Sequence, residues 1–227
     1  MPTQEQQLTL ARHVESSPAS VDRCAALWLD LLSGEQAILR AFAREKQSVL
    51  ILQTRVEPAA PLVGRAQEIL KRTLLGDRRK VIAQETNVSP STVAFVLKDS
   101  LACLGLHCRP SRVPSALVAL AHAACGVSRP VGLFIGGCRQ EGRRITVVTH
   151  VFDYSALRGL PPSERAVVGL LASGQSCVDI AARRNRSSRT VINQVAAAYR
   201  RLGVSSRLEL LHRFATLHVG TVETIEF

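Results

Sequence analysis

The sequence predicts a mainly helical α+β protein in which one unit is written twice in tandem, and three observations predict it. Residues 66–109 align with residues 164–207 at a constant offset of 98, without a gap. In both stretches Gly, Asn and Ser stand where helices would end, bend and begin. Ahead of each stretch lie two short runs of strand-forming residues around a polar turn.

The offset matches ten identical pairs: Gly76 with Gly174, Ile82 with Ile180, Ala83 with Ala181, Asn87 with Asn185, Ser89 with Ser187, Thr92 with Thr190, Val93 with Val191, Leu104 with Leu202, Gly105 with Gly203 and Arg109 with Arg207. The same register carries Ser48–Gln53 onto Thr146–Val151. A partner strand precedes each, Ile38–Ala43 before a turn over residues 44–47 and Leu133–Cys138 before a turn over 140–143, so each pair predicts a β-hairpin. Gly142 supplies the positive φ that a two-residue turn needs. Apolar helices are predicted over 21–32 and 114–124, the second placed to join the two halves rigidly. Pro58, Pro61, Pro161 and Pro162 mark short connections, and residues 1–20 read as a polar tail. The implied division is 1–20, then 21–112, then 113–227.

Within the first copy, Ile69, Leu70, Thr73 and Leu74 recur at helical spacing and stop at Gly76. A short helix over about 79–86 follows, bearing Val81, Ile82 and the small Ala83, and Asn87 provides a bend at positive φ. Ser89 then caps a helix over 90–104 whose first position is Pro90, where no intrahelical bond is lost. The second copy repeats this with a helix over 166–172, Gly174, a capping box from Ser176 to Asp179, Asn185, and Ser187 capping a helix over 188–202. Two helices joined by such a turn, the later one exposing a face, form the arrangement that places a recognition helix in a major groove.

The run Leu160–Val168, with Gly174, Ile180, Ala181, Ser187–Val191, Asn193, Tyr199–Arg207, Glu209 and Leu210, resembles the LuxR-type (GerE-like) helix-turn-helix domain over about residues 160–213. Residues 62–122 resemble it more distantly, through Gly76, Ile82, Ala83, Val88–Val93 and Leu104–Leu106. The resemblance implies four-helix domains, transcriptional control in a bacterial cytoplasm and dimerisation through the last helix. Two departures stand out. Arg184 and Arg186 occupy positions that are usually apolar in the family, and the residues after Thr-Val are Ile192 and Asn193 in the second copy but Ala94 and Phe95 in the first.

Charge agrees with a polyanionic partner. The chain carries +11, and residues 111–227 hold 15 Lys+Arg against 7 Asp+Glu, a net of +8, while residues 1–110 hold 14 against 11, a net of +3. An excess of Arg over Lys with abundant Ala also accompanies GC-rich coding, so charge alone decides little. No stretch reads as a secretory signal or membrane span, which points to a soluble, cytoplasmic protein. The six cysteines show no CxxC pair, and Cys103, His107 and Cys108 lack an evident fourth ligand, so no metal or cofactor is expected. Neither a phosphate-binding Gly-rich loop nor a nucleophile motif is present, which argues against an enzyme.

The expected partner is double-stranded DNA. In the second copy Asn193 and Gln194 suit adenine edges, Arg189 and Arg200 phosphate or guanine, and Arg183, Arg184, Arg186, Ser188 and Thr190 the flanking backbone. The first copy offers Ser89, Ser91, Thr92, Phe95 and Lys98. An aromatic such as Phe95 is expected to pack against a neighbouring element, as are Trp28 and Tyr199. The chain could form a homodimer or, holding two units, imitate a dimer alone. The alternative reading is a degenerate helix-turn-helix module that uses Val93–Leu97 and its hairpin edges to bind another regulator or RNA polymerase.

Overall fold

The computed structural model describes residues 16–44, 47–129, 131–152 and 157–216. Strand β1 (Ser16–Pro18) leads into helix α1 (Val21–Leu32), then strands β2 (Gln36–Arg44) and β3 (Gln47–Thr54). Helices α2 (Gly64–Leu74), α3 (Arg79–Glu85) and α4 (Pro90–Cys103) follow, then a 3-10 turn at Pro110–Arg112 and helix α5 (Ser115–Ala124). Strands β4 (Leu133–Gln140) and β5 (Arg143–Val151) precede helices α6 (Pro162–Ala172), α7 (Cys177–Arg183), α8 (Ser188–Leu202) and α9 (Arg207–Thr216). The predicted elements all form, and the turn of the first hairpin at residues 45 and 46 lies outside the described residues.

Both expected hairpins form, β2–β3 and β4–β5, and they are not independent of each other. All five strands join one antiparallel sheet in the order β1-β4-β5-β3-β2, giving a mixed α and β architecture. Its outer strand β1 comes from residues expected to be tail, with Ser17 opposite Ile135; residues 1–15 lie outside the described residues. Three residues without strand-forming side chains pair here because β4 offers an edge, a tertiary circumstance that local pattern does not encode.

The hairpins meet along β3 and β5, where Leu50 lies opposite Val148. These two residues are 98 apart, the same offset that aligns the sequence with itself. On one face Leu50, Leu52, Leu133, Ile135 and Val148 join the main core with Leu27, Trp28 and Leu31 of α1. Trp28 is accordingly buried, as expected.

Helix α5 is the hub of that core. It is apolar on every side, and residues Ser115–Ala123 are all buried, as such a helix must be. It packs on α1, α2, α9 and strands β3 to β5. Its alanines let those neighbours approach closely.

Where α5 meets α9, two imidazoles face each other. His122 Nε2 lies 3.2 Å from the Leu74 carbonyl and 2.7 Å from His212 Nδ1, so protonating both rings would set N–H groups head to head. Burial lowers the pKa of His122, and burial with the neighbouring His122 takes His212 to about 4. His150, buried beside Ser115, is also held at about 4 by desolvation. All three rings are neutral in the fold at pH 7, and the unfolded chain binds more protons between about pH 4 and pH 6.5. Stability is therefore full above pH 6.5 and falls on acidification, by on the order of 1–2 kcal/mol each for His150 and His212 at pH 5, with His122 acting in the same direction. Melting curves at pH 7.5 and pH 5 should show this loss, and His212→Gln should reduce it; equal melting temperatures would contradict the geometry.

Candidate nucleic-acid interface

Helix α8 is placed by a set of local devices. In α7 the Ser176 hydroxyl accepts from Asp179 N–H at 3.2 Å while the Asp179 carboxylate accepts from Ser176 N–H at 3.1 Å, so both ends of a capping box are made. Only Ile180 and Ala181 of α7 are buried. The chain then bends at Asn185, φ 49°, and Ser187 Oγ accepts from Thr190 N–H at 3.1 Å to start α8.

Tertiary bonds then fix its angle. Arg201 Nη1 meets the buried Glu164 carboxylate of α6 at 3.0 Å, and Arg213 of α9 donates to the last-turn Leu202 carbonyl at 2.8 Å. Val191, Ala198 and Leu202 turn inward, Val191 joining Val167, Leu171, Ile180 and Ala181 in a small separate core. The opposite stripe, Arg189, Asn193, Ala196 and Arg200, has the i, i+4, i+7, i+11 spacing of one helix face and is exposed throughout. Arg186 stands exposed just ahead of it. This face carries cations at both ends, an amide between them and a small side chain that lets the backbone come close to a partner.

The predicted residues of the second copy fall in three groups. Arg183, Arg186, Arg189, Thr190, Asn193 and Arg200 are exposed on α8 or the turn leading to it. Ser188 and Gln194 are half-buried. Arg184 is occupied otherwise: half-buried, it donates to the Ser163 carbonyl at 2.9 Å, and so braces the turn against the start of α6. Both arginines at the positions expected to be apolar thus avoid the core, because an unpaired guanidinium there would lose its solvation.

Residues 64–103 hold three helices of closely similar bounds to those of 162–202, with a different surface. Helices α2 and α3 match α6 and α7 end for end at the offset of 98. Asn87 has φ 52°, and Ser89 Oγ accepts from Thr92 N–H at 3.0 Å as Ser187 does in the second copy. The Ser89 hydroxyl also lies 2.6 Å from that of Ser91 and 2.8 Å from that of Thr92, so the three predicted hydroxyls are tied to one another. Lys98 is exposed. Phe95, expected to pack against a neighbour, is instead 70% exposed, and it stands where α8 carries Asn193.

Sequence reasoning passed over Arg207. Its guanidinium donates to the carbonyls of Leu171, Ala172, Ser111 and Val113, joining the end of α6 to the segment between α4 and α5. Its identity with Arg109 was the available signal. Among the described residues no three His, Cys, Asp or Glu side chains converge as metal ligands, and no helix is long and apolar enough to cross a membrane.

Residues 159–214 match the family model described as bacterial regulatory proteins, luxR family (GerE). The matched segment holds α6 to α8 and most of α9, the same elements that place the exposed stripe. It is a LuxR-type helix-turn-helix domain, the type that binds DNA and regulates transcription, and it covers about a quarter of the chain. No curated protein and no solved structure is matched by the chain.

Proposed function

We propose that this protein is a cytoplasmic DNA-binding transcription regulator that imitates a dimer within one chain. Helix α8 enters the major groove, and α4 belongs to a second, diverged copy of the same unit. The observation that carries the reading is the exposed α8 stripe, Arg189, Asn193, Ala196 and Arg200, inside a luxR-family segment. The end-for-end match of α2 and α3 with α6 and α7, and the pairing of Leu50 with Val148, support the duplication.

Arg186, Arg189 and Arg200 hold phosphates or guanine, and Asn193 suits an adenine edge. The α4 face has an aromatic ring in place of that amide and supplies contact without comparable base reading. Selection from random duplexes at near-physiological salt should enrich one strongly defined half-site beside a weakly defined one. Asn193→Ala should relax preference at one position of the strong half-site by about 1–3 kcal/mol with little change at the others. Failure to enrich any sequence would defeat the reading.

A second reading is favoured by Phe95 alone. Its exposed ring suits an interaction with another regulator or with RNA polymerase. Phe95→Ser should then abolish partner binding and leave duplex affinity unchanged.

A further inference from the structure

The end of the sheet formed by the β4–β5 turn gathers arginines that no step above uses. Arg139 and Arg144 are directly opposite in the β4–β5 ladder, and like charges so placed repel. Arg143 adjoins them, and Arg55 closes the same cleft of roughly 380 Å³ from just beyond the end of β3. Thr54, Val56 and Gly142 complete the lining, which among the described residues includes no carboxylate.

Among the described residues none of the four arginines forms an ion pair with an acidic side chain. Arg55 is half-buried and pinned, with Nη2 donating to the Cys103 carbonyl at the end of α4 at 2.8 Å. Its Nε is buried without a hydrogen-bond partner, an orphan donor beside the cleft. Arg139, Arg143 and Arg144 are exposed on the hairpin, which holds their backbones at fixed spacing around the two-residue turn at Glu141 and Gly142. A cross-strand arginine pair, a third beside it and a pinned fourth with a spare donor form a fork for an anion with several acceptor oxygens.

We infer that this cleft binds phosphoryl groups, as a site separate from the α8 face. Its ligand is a polyphosphate or successive phosphates of a nucleic-acid backbone. The second source rests on the regulator reading above, and the first does not. Inorganic tripolyphosphate is the probe for the cleft itself. The full chain should bind it and melt at a higher temperature in its presence, whereas the triple variant Arg139→Gln, Arg143→Gln, Arg144→Gln should bind it at least tenfold more weakly.

Loss of the opposed charges should leave the triple variant as stable as the parent or more so, which separates a lost site from a lost fold. Arg186→Glu with Arg189→Glu should leave tripolyphosphate binding intact, so the cleft can be judged whatever the chain does with DNA. If the natural source is a duplex, the triple variant should also flatten the slope of log affinity against log salt by about 2–3. If the source is a free polyphosphate, that slope should stay unchanged while probe binding is lost. Equal tripolyphosphate affinity in parent and triple variant, or no rise in the parent's melting temperature, overturns the inference.

Discussion

Arg186→Glu together with Arg189→Glu is expected to weaken duplex binding about 100-fold or more at near-physiological salt. Both side chains are exposed at the leading end of α8, and among the described residues neither meets an acid. Their charge is therefore available to a partner, and it sits where helix N–H groups add positive potential. Each lost phosphate contact removes about 0.9 from the magnitude of the log–log salt slope, and the introduced carboxylates add repulsion.

The fold should not notice the double change, since surface substitutions of this kind usually stay within about 0.5 kcal/mol. Fluorescence anisotropy across a salt series, with a melting curve beside it, reads both quantities. An unchanged affinity in an intact protein would remove α8 from the interface. Survival of binding to a protein partner alongside lost duplex binding would add the interaction role suggested by Phe95.

Arg207→Met is expected to cost about 3–5 kcal/mol of stability, because one side chain holds four carbonyl groups together. Nε reaches Leu171 O at 2.8 Å and Nη2 reaches Ala172 O at 3.0 Å, while Nη1 reaches Ser111 O at 3.1 Å and Val113 O at 2.8 Å. Desolvation lowers its pKa to about 10, so the guanidinium remains charged at neutral pH. The negative end of α6 supplies part of the compensation that a carboxylate would otherwise give. Without Arg207 those carbonyls lose their donors, and the clamp between the α4–α5 segment and α6 is gone.

For a chain of this size the loss corresponds to a fall of about 10 °C in melting temperature. Arg207→Lys should rescue little, since an ammonium cannot span the fork. A shift under 2 °C for Arg207→Met would show that packing alone holds the units together. Duplex affinity per folded molecule should fall less than in the Arg186 and Arg189 variant, because Arg207 points into the protein.

Much of the fold was legible because its signals are local. Helix α1 occupies its predicted residues, and Ser89 and Ser187 cap the predicted helices, since a hydroxyl beside a free N–H needs nothing distant. Asn87 and Asn185 adopt the expected positive φ for the same reason. The exposed face of α8 could be named in advance because helical spacing and polarity define it. The family model matches residues 159–214, whereas the reading of residues 62–122 as a related unit came from the internal alignment and the distant resemblance.

Other features required the chain to fold first. That β1 would leave the apparent tail and pair with β4 depends on an edge created by residues more than a hundred positions away. That Arg184 would brace Ser163 while Arg186 stays exposed, or that Phe95 would stand 70% exposed, depends on which surfaces meet. Side-chain identity by itself thus determined the punctuation of the helices and the chemistry offered by α8, because both act within a few residues. Tertiary structure decided how the hairpins joined, what Arg207 clamps and which arginines gather at the end of the sheet, because long-range proximity and desolvation exist only once the core has formed.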